Sequence, residues 1–438
     1  MTRDRTTAVR HRPPAGAAGA PNAEAGSSPV RGAVALRRCV AIEPAQFAGA
    51  YWGRAPLLCR AADFASAGTR PGYADLFGGD AADELLSRRG LRTPFLRVAR
   101  DGEVLPARRY VGGGGAGAEI PDQVRDEAIL DLFAGGATLV FQGLHRLWPP
   151  LIDFAGALAG ELAAPVGVNA YLTPPDGQGF ASHYDTHDVF VLQVEGRKRW
   201  LIHEPVLVDP LEGQRWDGRG GEVAAAARGA PVLDVELAAG DALYLPRGWV
   251  HSATARDGHS LHLTLGLRAL NRYALVEELI ALAAEEPALR AGFPLGFDPA
   301  DERQLAGQLT GVLDALREAL GRPGAAALAG RMRARCFPAT RPAPIRPVAQ
   351  AAAIAGVGRE TVVAPRAGLR WHLRTEAGAV LLELADRTIR FPGFCEPALR
   401  ALLAAGAVRV GDLPGVDGED QLVLVRRLLR EAVAVPVG

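Results

Sequence analysis

The alternation of apolar and polar residues changes its period along the chain, and each period predicts a different kind of element. Between about residues 93 and 265, short β-branched and aromatic runs are separated by turn residues, which is typical of strands. The runs Asp188–Glu195 and Ala242–Trp249 are the most apolar, and Ser260–Leu265 alternates strictly. From Tyr273 onward leucines recur every three or four residues, which predicts helices. The pattern therefore predicts a mixed α+β protein whose β core precedes residue 270.

Turn signals between the strands set their predicted limits. Glu195–Lys198 carries a turn signal before a further strand, Arg199–His203, and Arg256–His259 carries a hairpin signal. The segment Asp209–Val232 is rich in Gly, Ala and Arg and predicts an insertion loop near the active-site rim. Four further elements are predicted before the central strands: the strand Thr93–Gly102, the helix Asp122–Phe133, and the strands Ala137–Gln142 and Val166–Thr173.

The C-terminal part divides at a proline-rich segment. A leucine-rich helix is predicted for Asp301–Leu320 and ends at Gly321–Gly324. The segment Arg341–Pro347 predicts a stiff linker. Beyond it, two strands and two helices are predicted: Ala379–Leu384, Thr388–Phe391, Glu396–Ala404 and Asp420–Glu431.

Composition restricts the classes of protein. The 438 residues, 48% of them hydrophobic, suffice for two or three domains, and the formal net charge of zero favours neither nucleic acid nor an anionic membrane as partner. The four cysteines, Cys39, Cys59, Cys336 and Cys395, are too scattered for a disulfide framework or zinc cluster, and predict reduced thiols in a cytoplasmic protein. No apolar run approaches the ~20 residues of a membrane helix.

Residues 1–37 are predicted to be a disordered tail. They are rich in Ala, Gly, Pro and Arg and contain few bulky apolar side chains that could offset the entropy of ordering. This stretch has no apolar run like the core of a secretory signal peptide, so a secretory signal is not predicted. Its Arg-rich, acid-poor start is compatible with an organelle transit peptide, which remains an alternative.

The candidate chemistry lies in the strand region. His183 and Asp185 are two residues apart, so on an extended strand both side chains point the same way. His251 follows 68 residues after His183, behind the predicted turn Pro246–Trp249. Two imidazoles and one carboxylate form the facial triad of non-haem Fe(II) oxygenases, which leaves positions for a 2-oxo acid and dioxygen. A surface histidine beside a carboxylate is the alternative interpretation, which the strand context disfavours.

Other polar residues share the predicted strand faces. Asn169 and Tyr171 alternate with apolar neighbours, as do Ser260, His262 and Thr264. His262 is either an orienting residue near the metal or a core histidine. His187 has the same parity as the predicted ligands, so an ordinary cupin metal site is an alternative, but the aspartate between the two histidines disfavours it. We expect His187 to line the pocket near the substrate.

Lys198 is the only lysine in the chain, where the Lys+Arg total is 49. An ammonium on a flexible stem suits a carboxylate in a narrow pocket. An exposed lysine in the predicted turn is the alternative.

The stretches HYDTHDVFVLQVEGRKRWLIHEP and GDALYLPRGWVHSA resemble the JmjC-type ribosomal oxygenases, which are Fe(II)- and 2-oxoglutarate-dependent protein hydroxylases with a cupin-like core. The resemblance extends from about Cys39 to the C-terminus. It implies a double-stranded β-helix (jelly-roll) catalytic domain over residues 38–270, a helical dimerisation region over 271–340 and a winged-helix-like domain over 348–438.

The resemblance also implies the roles of individual residues. His183, Asp185 and His251 would bind Fe(II), Lys198 would bind the distal carboxylate of 2-oxoglutarate, and further co-substrate contacts would come from Asn169, Tyr171 and Thr264. The implied substrate is an Arg or His side chain of a ribosomal protein. A tailoring hydroxylase of a peptide natural product or small metabolite, and a non-catalytic JmjC-like binding module, remain alternatives. From Val348 on, eleven Arg face ten Asp and Glu, so nucleic acid is not the expected partner.

Overall fold

The computed structural model describes residues 33–437 apart from Asp101, Ala118, Asp176, Gln178, Gly179 and Pro323. The packed chain begins earlier than predicted, because Ala33, Ala35 and Leu36 are buried. The Glu161 carboxylate accepts the backbone N–H groups of Ala35 and Leu36 at 3.0 and 2.8 Å. The predicted disordered tail is therefore wrong from Ala33 to residue 37, and its first 32 residues lie outside the described residues.

Most elements before residue 270 surround one large sheet. The helices are α1 Pro44–Ala50, α2 Ala61–Ser66, α3 Gly79–Arg88, α4 Asp126–Ala134, α5 Leu144–Leu147, α6 Pro149–Leu162 and α7 Gly220–Ala227. The strands are β1 Leu57–Cys59, β2 Leu96–Arg100, β3 Glu103–Val104, β4 Val111–Gly112, β5 Gln123–Val124, β6 Thr138–Phe141, β7 Val166–Thr173, β8 Asp188–His203, β9 Leu233–Ala238, β10 Ala242–Leu245 and β11 Val250–Leu267. Nine strands form the sheet in the order β1-β10-β8-β11-β7-β6-β2-β3, with β9 paired to β8.

The two longest strands form one continuous antiparallel pair. Both halves of β11 pair with β8, with a register shift between Arg256 and Leu261, and β8 runs through Gly196 at φ +66°. A hairpin at residues 256–259 would instead have paired the two halves of β11 with each other. The predicted turn at 195–198 and the predicted hairpin are therefore wrong, because a bulge bends both strands without reversing them.

The predicted insertion loop at 209–232 also contains regular structure. Its helix α7 buries Val223 against Tyr184 and Val250, which are neighbours of the predicted metal ligands. The Ala-rich sequence suits this short helix, since alanine has the highest helix propensity.

A helical segment follows the sheet. It consists of α8 Arg272–Ala283, α9 Pro287–Arg290, α10 Glu302–Gly321 and α11 Ala325–Cys336. The helix predicted at 301–320 is confirmed, and the Asp301 side chain caps it by accepting the N–H groups of Arg303 and Gln304. Several large apolar side chains of α8 and α10 are exposed: Leu275, Val276, Ile280, Leu305, Leu309, Val312 and Leu313.

The last segment has a hydrophobic core of its own. Its elements are α12 Pro347–Ala355, β12 Val362–Pro365, β13 His372–Glu376, β14 Ala379–Glu383, β15 Thr388–Pro392, α13 Glu396–Ala404, β16 Val408–Arg409, α14 Gly418–Arg430 and β17 Ala434–Pro436. The strands form two three-stranded sheets, β16-β12-β17 and β13-β14-β15. The helices α13 and α14 bury one face each, including Leu399, Leu402, Val425 and Leu428. None of the helices described here has both the length and the apolar character that crossing a membrane requires.

Candidate active site

Three side chains predicted as metal ligands meet at the end of the β8–β11 ribbon. Asp185 Oδ2 lies 3.9 Å from His251 Nε2, and the imidazole centroids of His183 and His251 are 4.5 Å apart. One ligand atom from each residue lies within 4.8 Å of the other two. The structure therefore brings together the three residues that the sequence pattern selected.

Two backbone carbonyls orient the imidazoles. Nδ1 of His183 is 2.8 Å from the carbonyl oxygen of Ala181, and Nδ1 of His251 is 3.0 Å from that of Trp249. A carbonyl oxygen only accepts hydrogen bonds, so Nδ1 carries the proton in both rings. The lone pair of each Nε2 is then free to bind a metal, as in most histidine-metal sites.

The charge states of these groups also suit a cation. Burial lowers the pKa of His251 to about 4, so its imidazole is neutral near pH 7. Burial by itself would raise the pKa of the Asp185 carboxyl group, but the imidazoles of His251, His187 and His183 lower it below its ordinary value. One carboxylate and two imidazoles form a donor set that fits Fe(II).

A narrow cavity of about 80 Å³ lies beside the triad. Besides the three ligands, its walls consist of Thr138, Tyr171, Phe180, Val189, Val191, Lys198, Trp200, Ser252, Ala253, His262 and Thr264. The triad and the only lysine therefore border the same space.

Lys198 lies inside β8, and only 3% of the residue is exposed. The alternative of an exposed turn lysine is therefore wrong. Its Nζ donates to the Thr173 hydroxyl at 3.0 Å, and no carboxylate among the described residues forms an ion pair with it. Burial lowers the pKa of Lys198 to about 7. A buried ammonium without a countercharge is costly, so this end of the cavity suits an anionic ligand.

The other predicted co-substrate residues divide into two groups. Tyr171 and Thr264 line the cavity, and the ring of His262 stacks on Tyr171 with centroids 4.8 Å apart. Asn169 is not one of the lining residues, and its Oδ1 accepts the backbone N–H of Gly143 at 3.1 Å. Burial raises the pKa of Tyr171 to about 12, and the neighbouring Asn169 side chain offsets part of this shift.

His187 was expected to line the pocket, but it is not one of the residues that line this cavity. Its ring lies against Gly266, where a Cβ would come within 3.1 Å of Nε2. Only a glycine at 266 leaves this space without a shift of the ring.

The sequence interpretation missed Thr138, Thr173 and Trp200. Thr173 bonds Lys198, and Trp200 places its ring centroid 6.0 Å from that of His251. Period-two alternation contained the signal for two of them, because Thr173 continues the series Asn169–Tyr171 and Trp200 continues Lys198. Thr138 can be placed on this face only from the pairing of β6 with β7, which no local pattern in the sequence contains.

A larger cavity of about 870 Å³ lies between α3 and α4, on the opposite face of the sheet. It reaches β6 and β7 through Leu139 and Leu172, whereas the neighbours Thr138 and Tyr171 face the triad. Its lining contains none of the three predicted metal ligands, so the larger cavity is separate from the triad.

The region that contains the triad is similar to known proteins. Residues 154–275 match the family described as the JmjC domain. Over 137 residues the chain is 47% identical to the Drosophila persimilis protein named bifunctional lysine-specific demethylase and histidyl-hydroxylase NO66, a match that covers 30% of this chain and 19% of that protein. Over 211 residues it is 36% identical to ribosomal oxygenase 1 of Rattus norvegicus, covering 45% of this chain and 34% of that protein.

The similarity in fold extends further. The crystal structure of Escherichia coli ribosomal oxygenase YcfD superposes with a TM-score of 0.50 at 18% identity, covering 90% of this chain and 98% of that one. At this identity the similarity concerns the fold alone. The matched stretches amount to well under two thirds of the two animal relatives. The predicted resemblance to the JmjC-type ribosomal oxygenases, and the mixed α and β cupin fold that it implies, are confirmed for the region that contains the triad.

Proposed function

We propose that this chain, which contains a JmjC domain of the ribosomal-oxygenase type, is an Fe(II)- and 2-oxoglutarate-dependent oxygenase that hydroxylates a protein side chain. One observation carries the proposal: an oriented His183–Asp185–His251 triad and the buried ammonium of Lys198 border the same narrow cavity. The triad suits the metal, and the ammonium suits the far carboxylate of a five-carbon 2-oxo diacid.

Each residue has a defined task in this proposal. His183, Asp185 and His251 hold the iron, which when bound supplies the redox chemistry for using dioxygen with the 2-oxo acid. Lys198 pairs with the distal carboxylate, and the Thr173 hydroxyl holds the ammonium in place. Burial strengthens this pairing, since little water competes for the charges.

The walls of the cavity position the co-substrate. Tyr171 and Thr264 supply hydroxyl groups, and the Asn169 side chain lies beside Tyr171. Val189, Val191 and Trp200 supply apolar surface that excludes water from the reaction.

The proposed substrate is an Arg or His side chain of a ribosomal protein. The names of the relatives support this class: one is a histidyl-hydroxylase and the other a ribosomal oxygenase. The match to the JmjC domain over residues 154–275 includes the three residues of the triad.

We also propose an assembly for the remaining parts. Residues 38–270 would form the catalytic domain, 271–340 a helical dimerisation region and 348–438 a winged-helix-like domain. Exposed leucines on α8 and α10 support a homodimer, because burying them against a second copy would remove apolar surface from water. The four free cysteines agree with a cytoplasmic location.

Turnover by the purified protein tests the reaction class. Wild-type protein with Fe(II), 2-oxoglutarate and dioxygen should produce succinate, and His183→Ala should produce none above background. His372→Ala, which removes a histidine bonded to Glu383 in the C-terminal segment, is the matched control and should retain full activity. Full Fe(II)-dependent succinate production by His183→Ala would refute the ligand assignment.

Intact masses of ribosomal proteins test the substrate. Cells with and without this gene should differ by one oxygen atom on one ribosomal protein, and fragmentation should locate it on Arg or His. If all ribosomal masses are unchanged while the enzyme still makes succinate, a tailoring hydroxylase of a peptide or metabolite becomes the favoured function. A wild-type protein that makes no succinate with any substrate would favour a non-catalytic binding module.

A further inference from the structure

A buried carboxylate outside the triad connects the two segments that supply the ligands. Asp188 lies three residues after Asp185, at the first position of β8, and is 4% exposed. Its Oδ1 accepts the backbone N–H of Arg247 at 2.9 Å, and its Oδ2 accepts the Tyr244 hydroxyl at 2.8 Å. Arg247 belongs to the turn Pro246–Trp249 that leads into His251. The Asp188 carboxylate therefore connects the segment that contains His183 and Asp185 to the turn that precedes His251.

The position of this turn sets the direction of the third ligand. The Trp249 carbonyl accepts the hydrogen bond from Nδ1 of His251 at 3.0 Å. The Gly248 N–H donates to the Asp185 carbonyl at 2.9 Å, so a second bond ties the turn to the ligand segment. A shift of the turn would move the Trp249 carbonyl and rotate the imidazole away from Asp185.

Tyr244 holds the other oxygen of the carboxylate in a fixed position. Its oxygen accepts the Gly53 N–H at 2.8 Å, and its ring packs edge-on against Phe47 with centroids 4.9 Å apart. Burial and the charge of Asp188 raise the pKa of Tyr244, so the hydroxyl keeps its proton and donates it to Asp188. Both oxygens of Asp188 are thus bound by donors that packing holds in place.

We infer that Asp188 is a positioning residue of the metal centre, which acts through the turn 246–249 to aim the His251 imidazole at the metal. Asp188 is not one of the residues that line the co-substrate cavity, so its effect falls on the metal rather than on 2-oxoglutarate. A bonded group behind a metal-binding histidine fixes the orientation of the ring, and its loss weakens metal binding. The inference rests on the proposed function, because it requires a metal at the triad.

Cobalt binding tests this inference without any turnover. Co(II) alone is titrated into metal-free protein and followed by the visible absorption of the bound ion. Asp188→Asn keeps the size of the side chain but removes its charge. It also turns an N–H group toward either the Arg247 N–H or the Tyr244 hydroxyl, which both donate to Asp188 in the wild type. We expect its Kd for Co(II) to rise about 10- to 100-fold, with the KM for 2-oxoglutarate within about threefold of wild type at saturating Fe(II).

Asp209→Asn is the matched control. Asp209 is an exposed carboxylate whose Oδ1 lies 3.1 Å from the guanidinium of Arg247 in the same turn. Its variant should bind Co(II) within about twofold of wild type. A loss of thermal stability alone does not change the affinity of molecules that remain folded, so titration well below the melting temperature separates positioning from a purely structural role.

The outcomes are distinct. Unchanged Co(II) affinity in folded Asp188→Asn would overturn the inference and leave the proposed function intact. Failure of the wild-type protein to bind Co(II) would overturn both. If Asp188→Asn does not fold, Tyr244→Phe decides, because it removes one of the two donors and keeps the ring. We expect it to weaken Co(II) binding about 3- to 10-fold, and an unchanged affinity would again overturn the inference.

Discussion

His183 and His251 are bound to each other through both of their backbone amides. The N–H of His183 donates to the carbonyl of His251 at 3.1 Å, and the N–H of His251 donates to that of His183 at 2.8 Å. Directly opposed residues of an antiparallel pair place their side chains on the same face. The backbone therefore holds two of the three proposed ligands side by side, independently of any metal.

The first prediction follows from this pairing. In His251→Ala the backbone bonds persist while one Nε2 lone pair is lost. We expect the affinity for Co(II) to fall by at least about 100-fold, with circular dichroism unchanged. Retention of wild-type affinity would mean that His251 is not a ligand.

Replacing Lys198 tests the proposed co-substrate contact. Lys198→Met keeps an apolar stem and removes the ammonium, so the distal carboxylate loses a charge-assisted hydrogen bond of roughly 1.5–3 kcal/mol. The KM for 2-oxoglutarate should rise about 10- to 100-fold. Arg199→Met removes an exposed neighbour that pairs with Asp234 and should leave this KM unchanged. A similar rise of this KM in both variants would mean that the substitutions disturb strand β8 and do not report on a contact of Lys198 with 2-oxoglutarate.

The affinity for 2-oxoglutarate should depend on pH through Lys198. The pKa of about 7 in the ligand-free protein should rise when a carboxylate binds, so binding above pH 7 takes up nearly one proton. Calorimetry in buffers of different ionisation enthalpy measures this uptake, which should vanish below about pH 6 and in Lys198→Met. Binding without proton uptake at pH 8 in the wild type would contradict the prediction.

The same pKa has a consequence for stability. The folded pKa of Lys198 is lowered from 10.5 to about 7, so between these values the unfolded chain binds more protons than the folded one. This group therefore makes the ligand-free protein more stable as pH rises from 7 toward 10. Lys198→Met should remove this part of the pH dependence of chemical denaturation.

The left-handed backbone at Gly196 in β8 predicts a strict requirement for glycine. Gly196 has φ +66°, and a Cβ there would lie 2.0 Å from the carbonyl oxygen of His259. Gly196→Ala should therefore lower the free energy of unfolding by roughly 3 kcal/mol or more. Gly68→Ala is matched in backbone conformation at φ +71° but has nothing within 4 Å, so it should cost only about 1 kcal/mol. If urea denaturation gave the same loss of unfolding free energy for both variants, backbone conformation alone would explain the effect, and the contact with His259 would not contribute.

A charge on α10 tests the proposed dimer. Leu309 is 50% exposed, and Leu309→Glu would place a carboxylate in the proposed interface. Sedimentation should show a shift from dimer to monomer without loss of helix content. Leu130→Glu, on α4 at 69% exposure, should leave the association state unchanged. A wild-type monomer would refute the dimer.

The triad was predictable because its signal is local. His183 and Asp185 are two residues apart just before β8 begins at Asp188, and His251 follows a strand-turn signal, so spacing and residue type sufficed. The helix at 301–320 was equally accessible, since its leucine spacing and its Asp301 cap are both local. The resemblance added the partner residues Lys198, Tyr171 and Thr264, all of which line the cavity.

The errors arose where long-range pairing overrode a local turn signal. Glu195–Lys198 and Arg256–His259 both contain turn residues, but pairing of β8 with β11 on both sides makes them a shared bulge. Asn169 and His187 had the parity of lining residues, but Gly143 bonds one side chain and the other packs against Gly266. These contacts join residues that are distant in sequence, so no local pattern contains them.

The sequence by itself determined the strand periods, the three candidate ligands and the choice of one lysine among so many arginines. Only the tertiary structure decided that this lysine is buried with no ion-pair partner among the described residues, that Thr173 holds it, and that Asp188 binds the turn before His251. The physical reason is that parity and propensity act between neighbours along the chain. Burial, by contrast, and the hydrogen bonds that it makes necessary, depend on which distant strands come together.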